Sequence, residues 1–432
     1  MDIENYDIKL TDHGRKYFKK VFPNKCQLIM EQIPSFFTTS IGVWIKIGSK
    51  YEKQIEKGIS HLIEHLVFCG TQNRSSYDIV NHIESVGGKI DACTERELTC
   101  FSIKLLQEDV LRGLELLHDL VTKPNFSENS LSKEKEIILR EIQEGEENYQ
   151  LSVHDLLINN MFGNSLGYPI YGDKESLNKI TLEEIQDFYN NYYVPENIVI
   201  SVTGSFEKNS VYQKIKESFG SLTCNKRKND ERVYISGVKR DILYHHENTE
   251  QTYFCFGTEG LKQTDKDRVV MYIISSILGE GMSSRLYKKI REEAGLAYTI
   301  YSYYTLYAET GAFIITGVIE NDKLQETIDI IKLELNNICN GDVSIQELKT
   351  AKAKLKGNFF FNLEPVENAM IRLAKLNDWH SRHFTISEEL SMIEDVTLND
   401  IKRVAQRLFK NDNWNLAVIG NYSNSVRKEI YI

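Results

Sequence analysis

The chain has 432 residues, of which 41% are apolar, 26% are charged and six are prolines; that balance excludes a disordered, collagen-like or coiled-coil chain and leaves room for two to four domains. A formal charge of −10 argues against an extended phosphate-binding surface, so no nucleic-acid partner is expected, although a local acidic chamber could still draw in basic ligands. Seven scattered cysteines without a CxxC pair suggest neither a disulfide framework nor a cysteine-type zinc site, and point to reduced, mostly buried thiols.

The first residues, Met1-Asp2-Ile3-Glu4, carry acids and no apolar run, so they do not read as a signal peptide. No stretch approaches the roughly 18–20 apolar residues of a membrane span. A cytoplasmic protein without a membrane partner is expected. Along the chain, 39–47 (TSIGVWIKI) is apolar and β-branched and reads as a strand. Residues 59–68 have helical apolar spacing and are closed by Gly70. Residues 76–86 are again helical, and Gly87-Gly88 then opens a strand from Lys89. An alternating strand over 98–106 precedes helices at 110–122 and 131–147. This pattern predicts an α+β fold: a largely antiparallel sheet with helices packed on one face.

The later chain repeats itself. Residues 181–204 (TLEEIQDFYNNYYVPENIVISVTG) and 397–420 (TLNDIKRVAQRLFKNDNWNLAVIG) align without a gap at an offset of 216. Six positions are identical: Thr181/Thr397, Leu182/Leu398, Ile185/Ile401, Asn197/Asn413, Val202/Val418 and Gly204/Gly420. Each copy reads as a Thr-capped amphipathic helix, a polar turn and a short apolar strand ending in Gly. Since 216 is half of 432, two homologous domains are expected, 1–224 and 233–432. The charged run 224–232 between them, with Lys226-Arg227-Lys228, reads as a solvated linker.

The chemistry concentrates in His61-Leu62-Ile63-Glu64-His65, an HxxEH. At 100° per residue the two histidines lie about 40° apart on one helix face. Two imidazoles one turn apart can hold one Zn²⁺, and Glu64 beside them can reach an attacking water. HxxEH is the inverted form of the HExxH zinc motif. A third ligand must come from elsewhere, and the acidic helix at 132–147 offers Glu134, Glu136, Glu141 and Glu144. Glu134 and Glu141 are seven apart and share a helix side, but spacing alone does not choose among the four.

Beyond the motif, the chain carries GSKYE (48–52), GISHLIEHLVFCGT (58–71), SVGGKIDACTERELTC (85–100), KEKEIILREIQE (133–144), LGYPIYG (166–172), GMSSRL (281–286) and REEAGLAY (291–298). Through these it resembles the pitrilysin/insulinase family of zinc peptidases, in particular short chains akin to mitochondrial processing peptidase and its bacterial relatives. The resemblance implies one Zn²⁺ per chain held by His61, His65 and Glu141, with Glu64 as general base and Glu134 assisting without ligating. It implies that substrate peptide lies extended against the strand holding Asp91 and Ala92. The family usually has Asn-Ala there, and Asp91 adds an acid that would favour basic substrates. A further departure, Asn24-Lys25-Cys26 in place of Asn-Gly-Leu, touches only a turn.

In the second half, 272–278 (YIISSIL) has neither His nor Glu, so no second metal site is expected. Arg291 and Tyr298 keep an R-x6-Y arrangement that, by resemblance, contacts substrate and the oxyanion; an ion pair of Arg291 with Glu292 or Glu293 is the simpler alternative. Gly279-Glu280-Gly281 lacks the rest of any nucleotide-binding fingerprint and is set aside. The expected function is a zinc endopeptidase acting on short or unfolded peptides in a closed chamber. The resemblance further implies a homodimer with sites completed in trans, or a heterodimer with a related subunit. Rival readings are a dedicated maturation peptidase for a ribosomally made peptide and a non-catalytic scaffold subunit.

Overall fold

Both copies of the repeat fold as their residues require. In the computed structural model, which describes residues 8–163, 165–223, 241–380, 383–410 and 413–421, Thr181 caps helix Leu182–Tyr192. Its hydroxyl accepts from Glu184 N–H, and the Glu184 carboxylate takes the Thr181 N–H at 2.8 Å. Thr397 and Asp400 build the same reciprocal cap on Leu398–Phe409. The charged run expected as a linker, 224–232, lies outside the described residues.

The first sheet contains β1 (Ile8–Asp12), β2 (Arg15–Val21), β3 (Gln27–Gln32), β4 (Thr38–Ile45), β5 (Lys89–Thr94), β6 (Thr99–Leu106) and β7 (Ile198–Gly204), in the order β1-β2-β3-β7-β4-β6-β5. The second contains β8 (Asp241–His246), β9 (Gln251–Glu259), β10 (Ala297–Leu306), β11 (Gly311–Glu320) and β12 (Asn415–Gly420), in the order β10-β11-β9-β12-β8. Five strands correspond one to one. In each sheet the strand ending the repeat, β7 or β12, pairs parallel on one side (β3, β8) and antiparallel on the other (β4, β9). The remaining pairings are antiparallel, so both units are α+β as expected.

The helices at Ile59–Phe68 and Val110–Thr122 have the bounds their apolar spacing predicts, and the other expected elements differ by one to three residues at their ends. The acidic helix, Glu128–Glu147, starts earlier than 131 because Ser127 Oγ accepts the Ser130 N–H and caps it there.

Each sheet also has a second face that its own half leaves uncovered. On the first, helix Val366–His380 places Met370, Leu373 and Ala374 against Tyr17, Ile29, Trp44 and Val199. On the second, helix Tyr149–Phe162 packs Val153, Leu157, Ile158, Met161 and Phe162 on Cys255, Ala312, Ile314, Ala417 and Ile419. The two compact units are therefore not continuous halves: 144–167 belongs to the second and 361–386 to the first. Adding 216 to 149–162 gives 365–378, so the exchanged helices are repeat equivalents of each other. The physical reason is that a sheet apolar on both faces must be covered on both. Among the described residues no helix is long and apolar enough to cross a membrane.

Candidate metal centre

Helix Ile59–Phe68 is anchored by Ile59, Leu62, Ile63, Leu66 and Val67, all fully buried in the core of the first unit. That stripe turns His61, Glu64 and His65 to the other face, where all three are half-buried. Its start is held by two unusual residues. Gly58 has φ +87°, and a Cβ there would lie 2.6 Å from Tyr171 O, so only glycine fits. Glu52 accepts the Gly58 N–H at 2.8 Å and the Ser60 N–H at 2.9 Å, doing the work of an N-cap side chain from six residues upstream. Burial pushes the Glu52 carboxyl up to about 8, against the pull of those two backbone bonds. Sequence reasoning quoted Glu52 within GSKYE without seeing this role, because the bond depends on how the loop folds back.

The acidic helix is seated by buried Leu131, Ile138 and Ile142. This brings Glu134 and Glu141 toward the histidines and leaves Glu136 and Glu144 exposed. Glu141 Oε2 lies 3.8 Å from His61 Nε2 and 3.8 Å from His65 Nε2. One donor atom from each of the three falls within 4.8 Å of the others. A tetrahedral zinc with bonds of about 2.0–2.1 Å needs donors about 3.3 Å apart, so a small contraction of this N, N, O set accommodates the ion. Among the described residues it is the one such group. Burial, with His65 beside it, holds His61 down to about 4, so the neutral, metal-binding form prevails at neutral pH.

Glu134 orients the site. Its Oε2 is 3.1 Å from His65 Nδ1, and its Oε1 accepts from Cys69 Sγ at 3.2 Å. With Nδ1 engaged, His65 presents Nε2 to the shared carboxylate. Glu64 accepts a hydrogen bond from the Thr94 hydroxyl. Burial nevertheless raises its carboxyl above the ordinary value, a direction that favours proton uptake.

Asp91 and Ala92 lie on β5, an edge strand that pairs only with β6. Asp91 is exposed, and its carboxylate accepts the Ala92 N–H at 3.0 Å. The two other acids beside this strand are engaged: Glu95 pairs with Lys375 at 2.6 Å and Glu97 with the buried Lys50 at 2.8 Å.

In the second unit, Arg291 sits on a π-helical turn, Tyr287–Glu293, with its guanidinium 5.0 Å from the Tyr287 ring centre. Lys289 takes Glu293 at 2.9 Å, and Arg291 makes no ion pair among the described residues. Tyr298 is exposed at the start of β10, the edge strand equivalent to β5, beside a cavity of about 680 Å³ lined also by Glu144, Tyr149 and Tyr253. The helix equivalent to the motif helix, Arg268–Leu278, contains no metal-binding side chain.

Comparison with known proteins agrees with this division. Residues 28–174 match the model for the insulinase family, peptidase family M16, and residues 179–355 match that for the peptidase M16 inactive domain. The chain is 32% identical to the uncharacterized zinc protease YmxG of Bacillus subtilis, over 93% of this chain and 97% of that protein. It is 29% identical to an uncharacterized zinc protease of Streptomyces coelicolor, over 91% and 88% of the two chains. A protease from Helicobacter pylori has the same fold, with a TM-score of 0.88 at 22% identity over 94% of this chain and all of that one. A peptidase M16 inactive domain structure from Pseudomonas fluorescens superposes with a TM-score of 0.87 at 17% identity, over 94% and 98%.

Proposed function

The chain belongs to the insulinase family, peptidase family M16, and from that premise we propose that it is a zinc-dependent endopeptidase for short or unfolded peptides. The observation that carries the reading is the approach of both imidazole Nε2 atoms to one oxygen of Glu141, with Glu64 on the same helix face. His61, His65 and Glu141 would hold one zinc per chain. When bound, zinc supplies Lewis-acid polarisation of the scissile carbonyl and acidifies water at the site. Glu64 takes a proton from the attacking water on its carboxylate and delivers it to the leaving amine nitrogen. Glu134 holds His65 in one tautomer throughout.

Substrate binds extended along the free edge of β5, where main-chain pairing is tolerant of sequence and Asp91 favours basic residues. Arg291 and Tyr298 are both exposed and free to donate to a carbonyl oxygen gaining charge. In the proposed homodimer they reach the site of the partner subunit. A cytoplasmic location is part of the same proposal.

The test is metal analysis together with cleavage of a peptide library, with and without chelator. About one zinc per chain and chelator-sensitive cleavage are expected. Glu64→Gln should keep zinc and lose turnover, and full activity in that variant overturns the mechanism.

A further inference from the structure

Cys93 and Cys100 stand directly opposite each other in the antiparallel pairing of β5 with β6. Facing residues of such a pair project from the same side of the sheet. Here that side is the one covered by Val366–His380: Cys100 is buried with Trp44, Leu98 and Met370, while Cys93 is exposed at the edge. Both are free thiols. Glu95 N–H bonds Leu98 O at 2.7 Å across the adjoining turn, and by strand alternation Cys93 and Cys100 form the next hydrogen-bonded pair. Cα atoms of such pairs are about 5.5 Å apart, within the commonest range for disulfide-bonded cysteines. Because β5 has a neighbour strand on one side only, its adjustment toward disulfide geometry breaks no pairing on the other side.

We propose that this pair is an oxidation site, at which hydrogen peroxide converts Cys93 and Cys100 into a cross-strand disulfide. The Cys93 thiolate attacks a peroxide oxygen, the O–O bond breaks, and the departing hydroxide takes a proton to become water. Cys93 is then a sulfenic acid. The Cys100 thiol gives up its proton and attacks that sulfur; the S–S bond forms, the S–O bond breaks and a second water leaves. Two thiols have together lost two electrons, and one peroxide has become two waters.

The order of events follows from access and charge. Cys93 is the exposed thiol, and the Cys100 thiol beside it holds it below its ordinary value, whereas burial pushes Cys100 up. Among the other described cysteines, Cys26, Cys255 and Cys339 are buried, and Cys69 is engaged with Glu134. The disulfide would lock β5 to β6 one residue from the Thr94–Glu64 contact. That consequence rests on the peptidase reading, so the test is read on the linkage, which does not.

The purified full chain is treated with hydrogen peroxide, unfolded in the presence of iodoacetamide so that buried thiols are also trapped, digested and mapped by mass spectrometry. Residues 93 and 100 should be found linked to each other, and both should be recovered as free thiols after dithiothreitol. Cys93→Ser, an exposed substitution, should leave Cys100 a free thiol, and Cys100→Ala should leave Cys93 without a disulfide partner. Overoxidation of Cys93 with Cys100 still free, or linkage of Cys93 to any other cysteine, overturns the proposal.

Discussion

Thr94 donates its hydroxyl hydrogen to Glu64 Oε2, so the last residue of edge strand β5 holds the carboxylate that stands beside the two imidazoles. The strand proposed to align substrate and the group proposed to move the proton are thus mechanically joined. Thr94→Val should lower kcat/KM about tenfold, the rate equivalent of one lost hydrogen bond of about 1–1.5 kcal/mol, with zinc content unchanged. Zinc loss in that variant would show that Thr94 supports the helix and not Glu64.

The four acidic candidates on Glu128–Glu147 separate by geometry. Glu141→Gln should abolish stoichiometric zinc. Glu134→Gln should keep it with affinity weakened about 10–100-fold, since the carboxylate orients His65 from outside the ligand set. Glu144→Gln, at an exposed position, should leave affinity unchanged. Competition against a chromogenic chelator ranks all three, and an inverted order of Glu141 and Glu144 would refute the ligand assignment.

Leu373 lies in the second half of the sequence but is fully buried on the first sheet, against Ile29, Trp44 and Val199. Leu373→Ala should cost about 2–5 kcal/mol. The loss should appear as a lower Tm that zinc binding partly offsets, because the sheet it supports also carries the metal helix. A Tm insensitive to this substitution would show that the helix contributes little to the unit.

With Glu95 and Glu97 engaged by lysines, the charge preference rests on Asp91. Matched basic peptides should be cleaved faster than acidic ones at low salt, and Asp91→Asn should narrow that gap. An exposed charge contact is worth up to about 1 kcal/mol, so the change should not exceed about fivefold. Equal rates for the two peptides with the unaltered chain would remove the charge argument.

The composite-site proposal is tested by complementation. A Glu64→Gln chain and an Arg291→Ala/Tyr298→Ala chain should each be nearly inactive. Mixed under conditions of demonstrated subunit exchange, they should regain part of the activity, since one site of the mixed dimer combines intact groups from both. Exchange without recovery would exclude sites completed in trans.

What the sequence determined is local in origin. The 3.6-residue period put His61, Glu64 and His65 on one face of a helix whose bounds could be read directly, and Thr181 and Thr397 marked matching helix starts because capping needs only residues three apart. The offset of 216 exposed the duplication. Tertiary structure alone decided the rest, because it depended on which distant surfaces meet. Buried Leu131, Ile138 and Ile142 set the rotation of the acidic helix and so the carboxylate that faces both imidazoles. Glu52 reaches the start of the motif helix only once its loop is folded, and Lys375 and Lys50 cancel acids that look free in the linear chain. Above all, the exchange of Tyr149–Phe162 for Val366–His380 leaves no local mark, since both are ordinary apolar helices and only the uncovered sheet faces determine where each one packs.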